Sequence, residues 1–520
     1  MNNKTIIKLN ELYSIHPIQL QPNQPMTSTL SPEQKYAFAK FKLGENLFIT
    51  GPGGTGKTKL IETLVDHAKS EGKVIQVCAM TGCASVLLKC DAQTLHSWSG
   101  IRLGKGPSNI IVKNVLKNKK QCQNWRKTQI LIVDEVSMMS YKILELVEEL
   151  ARAARKNAAP FGGMQVIFTG DFFQLPPVGT AGDPATELFC FESPLWRQIF
   201  PPAQCIQLCT IFRQTDPEYK EILSQIRTAS LTPENAAILK LRVKREYDAA
   251  AHNGCIPIKL YPTRAKTDYF NKLMFNKLDG KEEIFECIKK RDCTTHLNNN
   301  KALSLADIER CQYLSLSEIE YEWQQLLTNG GSGEESIILK IGASVICTAN
   351  LDMDNGICNG AQGIIVDIIE NKATLITTQE KYVPVVKFAN GITRPIAFHY
   401  RQSDEYPAIA VGQIPLCLAW ALTIHKIQGA TLAMADIDVG FQIFECGQTY
   451  VALSRVQSLD GLYLSAFNPQ CIRANERVKA FYASLPKVDY TVDLGKETVE
   501  TRDPFTQFAY VDPTIKKIKL

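Results

Sequence analysis

Gly51-Pro52-Gly53-Gly54-Thr55-Gly56-Lys57-Thr58 is the stretch on which the reading of this chain turns. The apolar run Leu47-Phe48-Ile49-Thr50 leads into it, and Lys59-Leu60-Ile61-Glu62-Thr63-Leu64-Val65 continues with helical spacing. A strand feeding a glycine-rich turn and then a helix makes backbone N–H groups converge at a helix N-terminus, which favours anions. In this pattern the loop from Gly51 to Gly56 cradles phosphates, Lys57 bridges the β- and γ-phosphates, and the Thr58 hydroxyl holds Mg²⁺. A bare match arises by accident in roughly 2% of chains this long. The flanking strand and helix weaken the chance reading further.

Working outward, the same domain repeats short unbroken apolar runs between helical stretches: Val74 to Cys78, Ile130 to Val133, and Gln165 to Thr169. Such runs predict an α/β fold whose parallel sheet is covered on both faces. One run ends in Asp134-Glu135, two carboxylates whose adjacency is costly without a cation nearby. Asp134 is expected in the Mg²⁺ shell and Glu135 as the base that orients and deprotonates the attacking water. Another ends in Thr169-Gly170-Asp171-Phe172-Phe173-Gln174-Leu175-Pro176-Pro177-Val178. There Gln174 is placed to sense the γ-phosphate, with Leu-Pro-Pro to pass the signal on.

The chain has 520 residues, 45% hydrophobic and 21% charged, which excludes wholesale disorder. Residues 1–29 read as a solvated tail, and order begins at Leu30-Ser31-Pro32-Glu33-Gln34, with Ser31 as N-cap. A first α/β domain is expected over 30–202 and a second over 203–335 and 413–485. A small β-barrel rich in Asn-Gly turns is expected as an insertion over 336–412. Within this, 280–335 is polar and closes on a flexible joint at 330–333, and 486–520 reads as a tail. The apolar run Ile414 to Ile424 is about half a bilayer span and reads as one buried strand. The sixteen cysteines never stand as C-x-x-C, so reduced, buried thiols are expected rather than a disulfide framework or zinc ribbon. The first thirty residues hold neither an apolar signal core nor an arginine. The expectation is an intracellular protein, nuclear, cytoplasmic or at a viral replication site, neither secreted nor membrane-bound. A net charge of +5 permits a nucleic-acid partner.

With these motifs in order, the chain resembles the petite integration frequency (Pif) family of superfamily-one DNA helicases from about Leu30 to Tyr482. The most family-specific piece runs from Glu145-Leu146-Val147 through Ala151-Arg152-Ala153-Ala154-Arg155, then Pro160-Phe161-Gly162-Gly163-Met164-Gln165. The resemblance implies two RecA-like P-loop domains with parallel sheets and an SH3-like β insertion in the second. It implies that Gln34 reads adenine, that Thr81, His96 and Ser97 contact single-stranded DNA, and that Arg264 stands at a strand end of the second domain facing DNA. Phe212-Arg213-Gln214 resembles the motif whose arginine reaches the γ-phosphate. His425, Lys426, Gln428 and Gly429 match the motif touching both DNA and nucleotide, and Arg455 supplies a second phosphate-facing arginine. Ile427 departs from the serine usual there. The implied activity is ATP- and Mg²⁺-dependent 5′→3′ helicase action on single-stranded DNA and duplex junctions. The enzyme is expected as a monomer serving replication, repair or recombination, with proteins of those pathways as partners. The residues alone leave two rivals open: an RNA or mixed-substrate helicase, and an ATP-controlled clamp that does not unwind.

One pattern stands outside the motifs. Between Asp91 and Asp134 there is no acidic residue, yet Arg102, Lys105, Lys113, Lys117, Lys119, Lys120, Arg126 and Lys127 fall there. The expectation is a wedge-like basic insertion over about 97–127 that meets the duplex. The rival is a solvated basic loop.

Overall fold

The computed structural model describes residues 30–486 and 490, except 89, 91, 103, 248–256, 296, 298–301, 330–333, 350, 353–354, 356, 358–360, 372–377, 389, 404–405 and 433. The expected N-terminal tail, the joint at 330–333 and nearly all of the C-terminal tail therefore lie outside the described residues.

The first sheet contains β1 (Leu47–Thr50), β2 (Ile75–Ala79), β3 (Gln93–Thr94), β4 (Ile130–Asp134), β5 (Gln165–Gly170) and β6 (Cys205–Gln207). All pairings are parallel, in the order β3-β2-β4-β5-β1-β6. The unbroken apolar runs have the cause expected of them. Leu47, Ile49, Ile130 and Ile132 enter one core, while Phe48, Leu131 and Val133 enter the core on the opposite face. Because β6 pairs with β1, the first domain continues past the expected boundary at 202.

The second parallel sheet orders Ala421–Thr423, Ile258–Tyr261, Ala435–Val439 and Leu462–Phe467. Between its first two strands in sequence lies an antiparallel β region. It has a five-stranded sheet (Thr393–Pro395, Tyr382–Phe388, Gln362–Glu370, Ser344–Cys347, Leu416–Leu418) and two smaller ones. Those smaller sheets recruit Glu283–Glu286 and Ile288–Lys290. The helix Leu305–Gln312 and the start of Leu316–Asn329 pack Cys311 and Ile319 against Ala408 and Ile409. The insertion thus opens near 283 rather than 336, and the polar stretch 280–335 belongs to it.

Two further corrections follow from packing. The run Ile414 to Ile424 is two strands: Leu416–Leu418 joins the insertion and Ala421–Thr423 joins the second parallel sheet, with Ala419-Trp420 as the crossover. The last helix among the described residues, Glu476–Ala483, leaves the second domain. Its Val478, Phe481 and Tyr482 pack into the first domain's core beside Phe172, Phe191 and Trp196.

Candidate nucleotide site and nucleic-acid face

The turn after β1 is held from three sides. Lys57 donates from Nζ to the carbonyls of Gly51 at 2.7 Å and Pro52 at 3.0 Å. Gln34 closes a capping box with Ser31 and donates from Nε2 to the carbonyls of Thr55 at 3.1 Å and Gly56 at 3.3 Å. Gln34 thus braces the loop it was expected to serve as adenine reader. From the second domain's side, a Cβ on Gly54, whose φ is +87°, would lie 2.6 Å from the Arg213 Cβ. A Cβ on Gly53 would lie 3.3 Å from Arg455 Nη2. Glycine at these positions admits two cationic side chains to the loop.

Asp134 ends β4 and accepts the Thr169 hydroxyl. Glu135 follows at φ +56°, ψ 40°, a left-handed conformation rare outside glycine and costing on the order of 1–3 kcal/mol. That turn aims its carboxylate across the cleft, where Oε2 accepts from Gln428 Nε2 at 3.1 Å. Burial, then the charge of Asp134, pushes the Glu135 carboxyl up to about 7. Burial also raises Asp134 and lowers Lys57, each against the pull of the other's charge.

Arg455 is fully buried and donates to the carbonyls of Val451 and Ala430 and to the Ser454 hydroxyl. Arg213, half-buried, donates to the carbonyls of Ser454 and Gly429. Burial, then the neighbouring Arg455 cation, pulls Arg213 down to about 9, and burial lowers Arg455. Neither forms a salt bridge to a carboxylate among the described residues. Two guanidiniums in this state, held by main-chain carbonyls and facing a phosphate loop, suit a polyanion. Gln174 Oε1, Gln428 Oε1 and Thr449 Oγ1 are also buried without a partner, as polar groups awaiting a ligand would be. The residues present therefore fit a nucleoside triphosphate. For Mg²⁺, Thr58 is exposed on the first helical turn and Asp134 lies at the strand end. No group of three or more His, Cys, Asp or Glu among the described residues makes a cage. The ion would complete its shell from phosphates and water.

The expected nucleic-acid contacts divide between the domains. Half-buried Thr81 caps the helix Gly82–Leu87, accepting from Ala84 N at 3.2 Å. His96 lines a cavity of about 430 Å³ with Met80, Lys105, Met138 and Lys142, while Ser97 is exposed beside it in sequence. In the second domain, exposed Lys426 adjoins His425, whose ring stacks on Phe444 at 6.0 Å. Burial lowers both histidines. Arg264 is exposed at the start of its helix and pairs with Asp268 at 3.6 Å.

The basic segment forms two helices, Ser108–Lys117 and Lys119–Lys127. Val112, Val115, Cys122 and Trp125 are buried, and Trp125 packs against Trp98 with ring centroids 4.5 Å apart and the planes tilted by 52°. Arg155 pins it by donating to the carbonyls of Trp125 at 2.9 Å and Thr128 at 2.7 Å, and Arg126 Nε donates to Ala154 O at 2.8 Å. The segment is thus laid onto the helix Tyr141–Arg155, and Arg126 is committed to that packing. Lys113, Lys117 and Lys119 remain exposed.

Comparison with known proteins gives the family. The PIF1-like helicase family matches residues 29–230, and the 2B domain of DNA helicase Pif1 matches 324–368. The "ATP-dependent DNA helicase PIF1" of Danio rerio is 31% identical over 90% of this chain and 67% of its own length. The chain belongs to the PIF1-like helicase family. The "ATP-dependent DNA helicase RRM3" of Saccharomyces cerevisiae is 33% identical over 85% of this chain. The chain spans 65% of that relative's length. The crystal structure of Pif1 helicase from Candida albicans superimposes with a TM-score of 0.74 at 31% identity, covering 88% of this chain and 99% of that one.

Several residues of this PIF1-like site escaped sequence reasoning. Tyr450 accepts the Gly53 N–H at 2.8 Å, and Gln214 Nε2 donates to the Ser454 and Val456 carbonyls. Phe212 is half exposed, with its ring 3.5 Å from where a Cβ on Gly56 would lie, beside Gln34. Phe212 and Gln214 flank Arg213 and Tyr450 lies five residues before Arg455, but only the fold says which of these side chains turn toward the loop. Arg155 is the scaffold reason for the family-specific signature, since it also donates to Gly162 O at 2.9 Å.

Proposed function

We propose that this chain is an ATP-dependent DNA helicase that moves 5′→3′ along single-stranded DNA and parts duplexes at junctions. The activity for which the relatives are named supports the class. One observation carries it to these residues: Glu135, the candidate base beside the phosphate loop, is hydrogen-bonded to Gln428, two residues after Lys426 on the turn that bears the candidate DNA contacts. A change at the nucleotide is therefore felt at the nucleic-acid face through a single side-chain contact.

In this reading Lys57 leaves its carbonyl partners for the phosphates, and Glu135 takes the proton of the attacking water. Arg213 and Arg455 neutralise charge developing on the γ-phosphate from the second domain. Bound Mg²⁺ would add charge neutralisation, with Thr58 and Asp134 as its protein ligands. Phe212 and Gln34 offer a flat face and an amide to adenine. Arginines from one domain meeting a phosphate held by the other favour a closed cleft, and loss of the γ-phosphate releases it. Thr81, His96, Ser97, Arg264, His425 and Lys426 are the proposed grips on DNA. We assign the chain to replication, repair or recombination, acting as a monomer within an intracellular compartment. No helix among the described residues is long and apolar enough to cross a membrane.

The test is strand displacement on duplexes with 5′ or 3′ tails, of DNA and of RNA, with ATP turnover followed in parallel. Release from the 5′-tailed DNA duplex alone is expected. Turnover without release would mark a clamp, and equal release from RNA tails a mixed-substrate enzyme.

A further inference from the structure

The last helix carries a side chain that the proposed mechanism has not used. Tyr482 enters the first domain, and its hydroxyl lies 2.6 Å from Thr50 Oγ1, at the end of β1 where the phosphate loop begins. The same oxygen accepts the Phe172 N–H at 3.1 Å and reaches Asp171 Oδ1 at 3.3 Å. Asp171 has a fully buried side chain and takes a two-pronged ion pair from Arg227, at 3.0 Å from Nε and 2.8 Å from Nη2. Arg227 belongs to the second domain, on the helix Pro217–Thr228 whose Tyr219, Ile222 and Ile226 fill that domain's core. Its guanidinium lies 4.4 Å from the Phe173 ring centroid and 5.2 Å from that of Tyr482, and those two rings stack at 4.9 Å and 13°.

Four segments thus meet around the fully buried Asp171: the helix bearing Tyr482, the strand entering the phosphate loop, the turn leading to Gln174, and a core helix of the other domain. A buried ion pair with one donor misplaced is costly, so the junction tolerates few arrangements. Leu175, four residues after Asp171, is itself buried in the second domain's core, so the turn is anchored on both sides. Tyr482 is the member that reads the loop side, because its hydroxyl touches Thr50 and Asp171 together.

We infer that Tyr482 is a positioning residue, which through Asp171 and Arg227 couples the state of the phosphate loop to the placement of the second domain. The inference rests on the ATPase reading above. It assigns to the C-terminal helix a part in coupling hydrolysis to movement, beyond closing the first domain's core.

The test uses the full chain with Tyr482→Phe, which keeps the ring stack and removes the hydroxyl. Loss of one buried hydrogen-bonding group should lower kcat for DNA-stimulated ATP hydrolysis roughly tenfold, with the KM for ATP changed less than about twofold. Base pairs opened per ATP hydrolysed should fall as well. A purely structural role would lower Tm and the active fraction but leave that ratio at the wild-type value, and this result would overturn the inference. Arg227→Lys keeps the charge without the two-pronged geometry, and its loss of coupling should be non-additive with that of Tyr482→Phe, since both act through Asp171. Additive effects would also overturn it. Wild-type protein without ATPase activity would instead refute the functional reading itself.

Discussion

In the nucleotide cleft, Asp134, Glu135 and Arg455 are charged side chains drawn into the interior. In the segment 97–127, Lys113, Lys117 and Lys119 are left in solvent while Val112, Val115 and Trp125 go inside. The second pattern is what folding alone produces from an amphipathic helix. The first opposes folding: it places a non-glycine residue in the left-handed region, raises a carboxyl to about 7, and leaves two arginines without carboxylate partners among the described residues. Where local rules are broken at a cost, the structure marks chemistry, and where they are obeyed, charge acts only by its sum.

The comparison breaks most sharply at the arginines. Arg213→Ala and Arg455→Ala should each lower the ATPase kcat by about 10³–10⁵ if they meet the γ-phosphate as arginine fingers do. Nucleotide affinity, followed with a fluorescent analogue, should move less. Turnover near wild type in either variant would make that guanidinium a structural cation held by main-chain carbonyls.

Glu135→Gln comes next. The amide still accepts from Gln428, so the cleft stays assembled while the proton acceptor is lost, and kcat should fall about 10²–10⁴-fold with ATP still bound. The pH dependence follows from the same group. With its pKa near 7 in the free protein, Glu135 is a base only above that value, so kcat/KM should decline as pH falls through about 7. A profile flat from pH 8 to 6 would show that Glu135 is already ionised, or is not the base.

What was legible in the sequence follows the same division. The phosphate loop, the Asp-Glu strand end and the motif order were readable because each is a local pattern with one chemistry. Assignments that depend on distant partners were not. Nothing in Cys205-Ile206-Gln207 tells which sheet will accept it, and nothing in Ile414 to Ile424 says that the chain changes sheets at Ala419-Trp420. Tyr482 falls inside the span expected for the second domain, 413–485, because its return to Thr50 is a contact across 432 positions that no local pattern announces. The run of basic residues without an acidic one was visible, but not that Arg155 pins the segment to the scaffold through main-chain carbonyls.

The packed side of that segment predicts a stability effect. Trp125 is fully buried, packs against Trp98 in a tilted ring contact and donates from Nε1 to Ser99 O at 3.1 Å. Trp125→Ala should cost about 3–5 kcal/mol in the first domain, measured by denaturant unfolding. A cost under about 1 kcal/mol would return the segment to a loosely held loop.

Its exposed side predicts the smallest and most specific effect. Lys113 and Lys117 stand one helical turn apart, and Lys119 opens the next helix; all three are exposed, and no acidic residue lies between Asp91 and Asp134 to neutralise them locally. If this exposed side meets DNA, each lysine replaces a condensed counterion, and replacing all three with alanine should flatten the log–log salt dependence of single-strand binding by about 0.7 per lost contact. The fold should survive, because none of the three is buried, and DNA-free ATPase should survive, because none touches the nucleotide cleft. A slope equal to wild type, in a variant with unchanged Tm, would leave the segment a scaffold braced by Trp125 and Arg155. The nucleic-acid face would then narrow to the residues around His96 and His425.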